Sequence, residues 1–167
     1  MNTALSSHSS RKKAQNKTKW PFRVLYTVAR LILGGVFIYA SIDKILHPAA
    51  FAEAVYNYQV LPDGFINLAA IVLPWLEFFL GTFLIIGFWM PGTVVISNLL
   101  LMTFMGALVF NLSRGLDIHC GCFSTSPTDN PMDAWTVLRD SSFLILAIYL
   151  LLTVFFSRVS AVLKADK

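Results

Sequence analysis

Residues 24–45 read VLYTVARLILGGVFIYASIDKI, 22 residues in which only Arg30, Asp43 and Lys44 carry charge. As an α-helix this run rises about 33 Å, enough to cross the hydrocarbon core of a bilayer. Three further runs have the same character: about 66–90, 93–112 and 141–159. The chain is 56% hydrophobic and only 13% charged, which a soluble core of 167 residues could not hide. These runs predict an all-α integral membrane protein, a four-helix transmembrane bundle.

Around the spans the charge is segregated. Arg11, Lys12, Lys13, Lys17, Lys19 and Arg23 precede the first span with no acidic residue among them, and Arg158, Lys164 and Lys167 follow the last. Between spans two and three, Trp89-Met90-Pro91-Gly92 leaves room only for a tight turn and holds no basic residue. The opposite side holds Lys44, Arg114 and Arg139. The positive-inside rule then places both termini in the cytoplasm and turns the loops 46–65 and 113–140 outward. Topology explains the basic run, so no nucleic-acid partner is expected. A cleaved signal sequence is the alternative for the first span; the run is longer than a signal h-region, and cleavage would reverse the Lys/Arg bias. Residues 1–22 are expected to be a flexible basic cytoplasmic tail, 23–160 the membrane domain, and 161–167 a second cytoplasmic tail.

Cys120 and Cys122 are the sole cysteines and stand one glycine apart in the outward loop. In an oxidising compartment they would pair with each other. As a brace, that bond is poor: loop closure over three residues is worth roughly 1.6 kcal/mol before strain. A strained, exposed disulfide is readily exchanged, so thiol chemistry is the leading reading, with a structural bridge or metal ligation as alternatives. His119 beside the pair suggests a soft-metal cluster, but three ligands within four residues could not all reach one tetrahedral ion without strain. No metal site is therefore expected. A protonated His119 would favour a neighbouring thiolate; the alternative is a solvated loop histidine.

Charged groups inside spans are costly and usually paired or functional. Glu77 falls near the midplane of the second span, and Arg30 about 9 Å into the first, with a side chain long enough to reach toward it. A structural Arg30–Glu77 pair is expected. The sharper alternative is a polar pocket in which Glu77, with Asn98 of the third span, receives a quinone head group or a proton. Asp43 and Lys44 are expected as anchors, and Asp140 as the N-cap of the last span. Gly34, Gly35, Gly81, Gly87 and Gly106 most simply permit close helix packing.

The run from Arg30 to Lys44 (RLILGGVFIYASIDK), then YQVLP (58–62), LPWLE (73–77) with Gly81, and NLSRG (111–115) followed by CGCF (120–123), resembles the MauE/DoxX-like membrane proteins over about residues 24–155. The family's thiol motif is similar to Cys-Gly-Cys-Phe-Gly; here Ser124 takes the last place. The resemblance implies a multi-pass protein of a bacterial inner membrane with Cys120 and Cys122 on the periplasmic side. In the methylamine-utilisation case it implies disulfide formation in, or maturation of, a periplasmic dehydrogenase together with a thioredoxin-like partner. The layout is also similar to quinone-coupled disulfide-forming enzymes, which commonly use two cysteine pairs where this chain has one. Two other functions fit the same residues: a non-catalytic assembly scaffold, or a small membrane subunit of a quinone-linked oxidoreductase led by Glu77.

Overall fold

The computed structural model describes residues 2–59, 61–114 and 134–165, with side chains placed for 23–59, 61–114 and 137–157. Cys120, Cys122 and His119 lie outside the described residues. Five helices are present among those described: α1 (Asn2–Leu46), α2 (Pro48–Asn57), α3 (Asp63–Ile86), α4 (Met90–Ser113) and α5 (Ala134–Ala165). Four of them contain stretches long and apolar enough to span a membrane, Arg23–Leu46, Asp63–Ile86, Met90–Ser113 and Val137–Ser157.

The boundaries differ from the sequence expectation at three places. Helical backbone in α1 continues back to Asn2 through the stretch expected to be a flexible tail, where neither glycine nor proline interrupts residues 2–20. The expected loop 46–65 holds α2, which starts with Pro48 at its first turn, where a missing N–H costs nothing. The α3–α4 turn comes earlier than Trp89–Gly92. Gly87 takes a left-handed φ of 84° as the α3 C-cap, and the N–H groups of Gly87 and Phe88 both donate to the Phe83 carbonyl at 2.8 and 3.0 Å. Pro91 thereby falls in the first turn of α4 instead of in the connection.

Each span turns one stripe inward. On α1 the buried residues are Ala29, Leu33, Phe37, Ala40, Ser41 and Lys44, at spacings of three and four; Leu80 and Leu84 of α3, Val94 of α4, and Ala147, Leu150 and Val154 of α5 complete the core. The remaining faces stay uncovered. At most a third of any apolar window is buried, and large side chains such as Ile71, Leu99, Ile145 and Phe156 are more than half exposed. No soluble protein leaves such belts bare on every helix, whereas lipid tails solvate them.

Among the described residues the closely packed backbones of the spans are α1 with α3, α3 with α4, α4 with α5 and α5 with α1, whereas the diagonal helices α1 and α4 meet through side chains, Lys44 against Phe104. The four spans thus stand in a ring around a common axis. The α1 and α3 backbones cross closely where Gly34 meets Gly81: a Cβ on Gly34 would lie 2.9 Å from the Gly81 carbonyl oxygen. Gly35 and Gly106 face open space, so the packing role expected for them does not hold. The ends of α1 and α4 and the starts of α3 and α5 share one end of the ring with α2, referred to below as the α2 end.

Candidate functional site: a buried charged cluster at the α2 end

The contacts between α1 and α3 run in opposite senses along the two chains, Arg30 with Ile85, Gly34 with Gly81, and Lys44 with Glu77, so the helices are antiparallel. In this register Arg30 lies level with the end of α3, about eight residues or 12 Å along the axis from Glu77. The expected Arg30–Glu77 pair therefore does not form. Arg30 Nη2 donates to the Ile85 carbonyl at 3.4 Å, and its guanidinium lies against Gly87. A cation there neutralises the negative end of the α3 dipole and the carbonyls the helix cannot satisfy.

Glu77 is instead held by Lys44. Nζ donates to both carboxylate oxygens at 2.8 Å, and the two side chains are 3% and 5% exposed. Helical side chains lean toward their own N-terminus. In an antiparallel pair that tilts Lys44 inward from the end of α1 and Glu77 toward the α2 end, so they meet between their backbones. The expectation that Lys44 anchors the surface is corrected by the same geometry. It continues the buried α1 stripe at the 3–4 spacing from Phe37, Ala40 and Ser41, and this periodicity is the signal that could have found it in the sequence. Two rings complete its cage, with Nζ 5.1 Å from the Phe51 centroid and 5.0 Å from the Phe104 centroid.

A cavity of about 60 Å³ adjoins the pair on the bundle axis. Lys44, Glu77 and Asp140 supply its charged wall, and Phe37, Phe104 and Phe143 are among the apolar side chains opposite. It is room for a few waters, far short of the several hundred Å³ of an ordinary organic-ligand pocket. Asp140 is not an N-cap, because α5 begins at Ala134; its carboxylate accepts from Arg139 Nε at 3.0 Å and faces the cavity. Asn98 does not line the cavity. Its Nδ2 donates to the Val94 carbonyl at 2.8 Å and to the Ala147 carbonyl at 3.0 Å, which ties α4 to α5. The structure thus separates Arg30, Glu77 and Asn98, and brings Glu77 together with Lys44 and Asp140.

Tyr58, just past α2, reports on the mouth of this cluster. Burial first, and the negative Asp140 second, push its phenol up from 10.0 to about 12. Since the folded value lies above the unfolded one, the stability tied to this phenol is complete below pH 10 and is lost as pH rises toward about 12. Ultraviolet titration of tyrosinate should show a late step near that value that Tyr58→Phe removes; an unchanged titration curve would contradict the placement of Tyr58 beside Asp140.

The profile of the family described as methylamine utilisation protein MauE matches residues 22–153. Methylamine utilization protein MauE of Paracoccus denitrificans is 33% identical over 112 residues, 66% of this chain and 60% of that protein. The protein of the same name from Methylorubrum extorquens is 31% identical over 101 residues, 60% of this chain and 54% of its own length. That of Methylophilus methylotrophus is 30% identical over 112 residues, 66% of this chain and 59% of its own. The chain therefore matches between half and two thirds of the length of these curated relatives. No solved structure matches it significantly. Since the profile runs through most of the chain, from the start of the first span well into the fourth, the chain belongs to the family of methylamine utilisation protein MauE.

Proposed function

We propose that this MauE-family membrane protein is a thiol-disulfide exchange protein that supports disulfide formation in, or maturation of, a periplasmic enzyme, with a role in methylamine utilisation. The observation that carries the reading is the pair Cys120 and Cys122, the chain's only cysteines, one glycine apart in the connection between α4 and α5. That connection leaves the bundle at the α2 end, which the distribution of Lys and Arg favours as the non-cytoplasmic side, and membership of the MauE family favours a bacterial inner membrane.

In the exchange, a thiolate of a thioredoxin-like periplasmic partner attacks the Cys120–Cys122 disulfide and forms a mixed disulfide. The partner's second thiolate then displaces the bound cysteine. The partner becomes oxidised, and this chain receives two electrons and two protons as two thiols; His119, next to Cys120 in sequence, would favour the thiolate form when protonated. Restoring the disulfide requires a two-electron oxidant that takes up the two electrons and two protons; an acceptor of the quinone class would supply that chemistry from outside the cavity of about 60 Å³, which is too small to hold one. The family membership and the weakness of a three-residue ring as a brace support this reading.

Replacing Cys122 by Ser, and separately Cys120 by Ser, tests it on non-reducing gels of membranes. At least one single variant should accumulate a covalent adduct with a periplasmic protein, lost on reduction and absent from the double variant. If neither single variant traps a partner and the double variant still matures the client enzyme, the chain is an assembly scaffold and the exchange reading fails.

A further inference from the structure

The exchange reading leaves the charged cluster at the α2 end without a task. A buried ion pair is a poor device for stability, because desolvating both charges consumes most of their attraction. An intramembrane pair of this kind more often marks a path for ions or protons. Here the pair does not stand alone: Lys44 uses two of its three N–H donors on Glu77, leaving one for the cavity, and Asp140 offers a second carboxylate on the same wall. A void with this many polar partners fills with water.

Arg139 Nε lies 3.0 Å from Asp140, so Lys44 and Arg139 balance Glu77 and Asp140 and the cluster is neutral. A proton arriving on Glu77 leaves one positive charge, which Asp140, on the same cavity wall as Lys44, is positioned to offset in part. Among the described residues, the other titratable or charged groups facing the cluster are Tyr58 beyond α2 and Arg139 beside Asp140; the α4 residues on the cavity wall, among them Leu101, Phe104 and Met105, are uncharged.

We propose that the cavity bounded by Lys44, Glu77 and Asp140 is a hydrated proton-exchange site that admits water from the α2 end, with Asp140 at its entrance and Glu77 as the proton acceptor. The step balances simply: hydronium gives its proton to the Glu77 carboxylate, forming a carboxylic acid and water, with no electron moved. The site does not depend on the thiols, so its test is run without them.

In the full chain carrying Cys120→Ser and Cys122→Ser, single cysteines are placed at Leu101 and Phe104 on the cavity wall, at Glu53 on exposed α2, and at Leu99, which faces lipid and is 64% exposed. Silver ion, a thiol reagent small enough for a space that holds only a few waters, is applied from the α2 side in chloride-free buffer. The cavity cysteines should react within about tenfold of the Glu53 position, and the Leu99 position at least about a hundredfold more slowly, because only a hydrated thiol ionises and attacks. Infrared difference spectra on acidification, in H2O and D2O, should reveal a protonated carboxyl sensitive to deuteration. That band should vanish in Glu77→Gln and in the neutral pair Lys44→Met/Glu77→Leu, whose apolar side chains preserve folding if charge removal alone is at issue. Cavity cysteines as inert as the Leu99 position would overturn the proposal. So would a reactive cavity whose titrating band survives both Glu77 variants.

Discussion

Glu77→Leu alone should destabilise the bundle by about 3–5 kcal/mol, because it strands the Lys44 ammonium inside the ring with its carboxylate gone. Lys44 is 2% exposed and cannot return to water without withdrawing from between Phe51 and Phe104. Asp140 on the same cavity wall draws the cost toward the lower end of that range. The paired change Lys44→Met/Glu77→Leu should recover most of the loss and fall within about 1–2 kcal/mol of the native chain, since both desolvation penalties disappear together. Thermal unfolding in detergent, followed by tryptophan fluorescence, measures all three proteins. If the paired variant is as unstable as the single one, side-chain shape and not charge holds this part of the ring.

Gly81→Val should cost about 1–3 kcal/mol or more, through the backbone crossing of α1 and α3. A Cβ at this position would lie 2.8 Å from the Gly34 carbonyl oxygen, 2.8 Å from Ile38 Cγ1 and 3.0 Å from the Ile38 amide nitrogen. Two of these three atoms belong to backbone and cannot rotate away, so the helices must separate. In a membrane, where lipid solvates apolar side chains as well as a neighbouring helix does, close contact is what holds two spans together. Gly35→Val, one residue from the crossing but facing open space, should change stability little. Because one separation relieves both clashes, Gly34→Ala and Gly81→Ala together should cost less than the sum of the two alone. Unfolding midpoints of the five variants decide this, and equal losses at Gly35 and Gly81 would contradict the crossing.

The spans were legible in the sequence because their signal is one-dimensional: a run of about 20 apolar residues crosses a bilayer whatever surrounds it. The partner of Glu77 was not, because it depends on the register between two helices. Arg30 and Lys44 both lie on the first span, and reach alone favoured Arg30. The register set by the Gly34–Gly81 crossing instead carries Arg30 to the end of α3 and leaves Glu77 to Lys44. The two ends of the Gly87 turn tell a similar story, since Pro91 and Gly92 read as a turn although Gly87, with its left-handed φ, ends the helix first. Asp140 was misread as a cap because the apolar run of the last span begins after it, whereas the helix itself starts at Ala134. The cavity has no sequence signature at all, being a gap left between side chains from four different helices.

The bond between Lys44 and Glu77 also bears on how the protein is made. Synthesis delivers α1 to the bilayer 33 residues before Glu77 exists. Until then the lysine's long stem lets its ammonium lodge among lipid headgroups. Emergence of α3 withdraws it from them, so docking of the first two spans is expected to be a late folding event driven by charge capture and not by insertion itself. Nascent chains arrested before and after Glu77 should then differ in the reactivity of Lys44 toward an amine reagent in the aqueous phase, and equal reactivity would show that the lysine is drawn inward without its counterion.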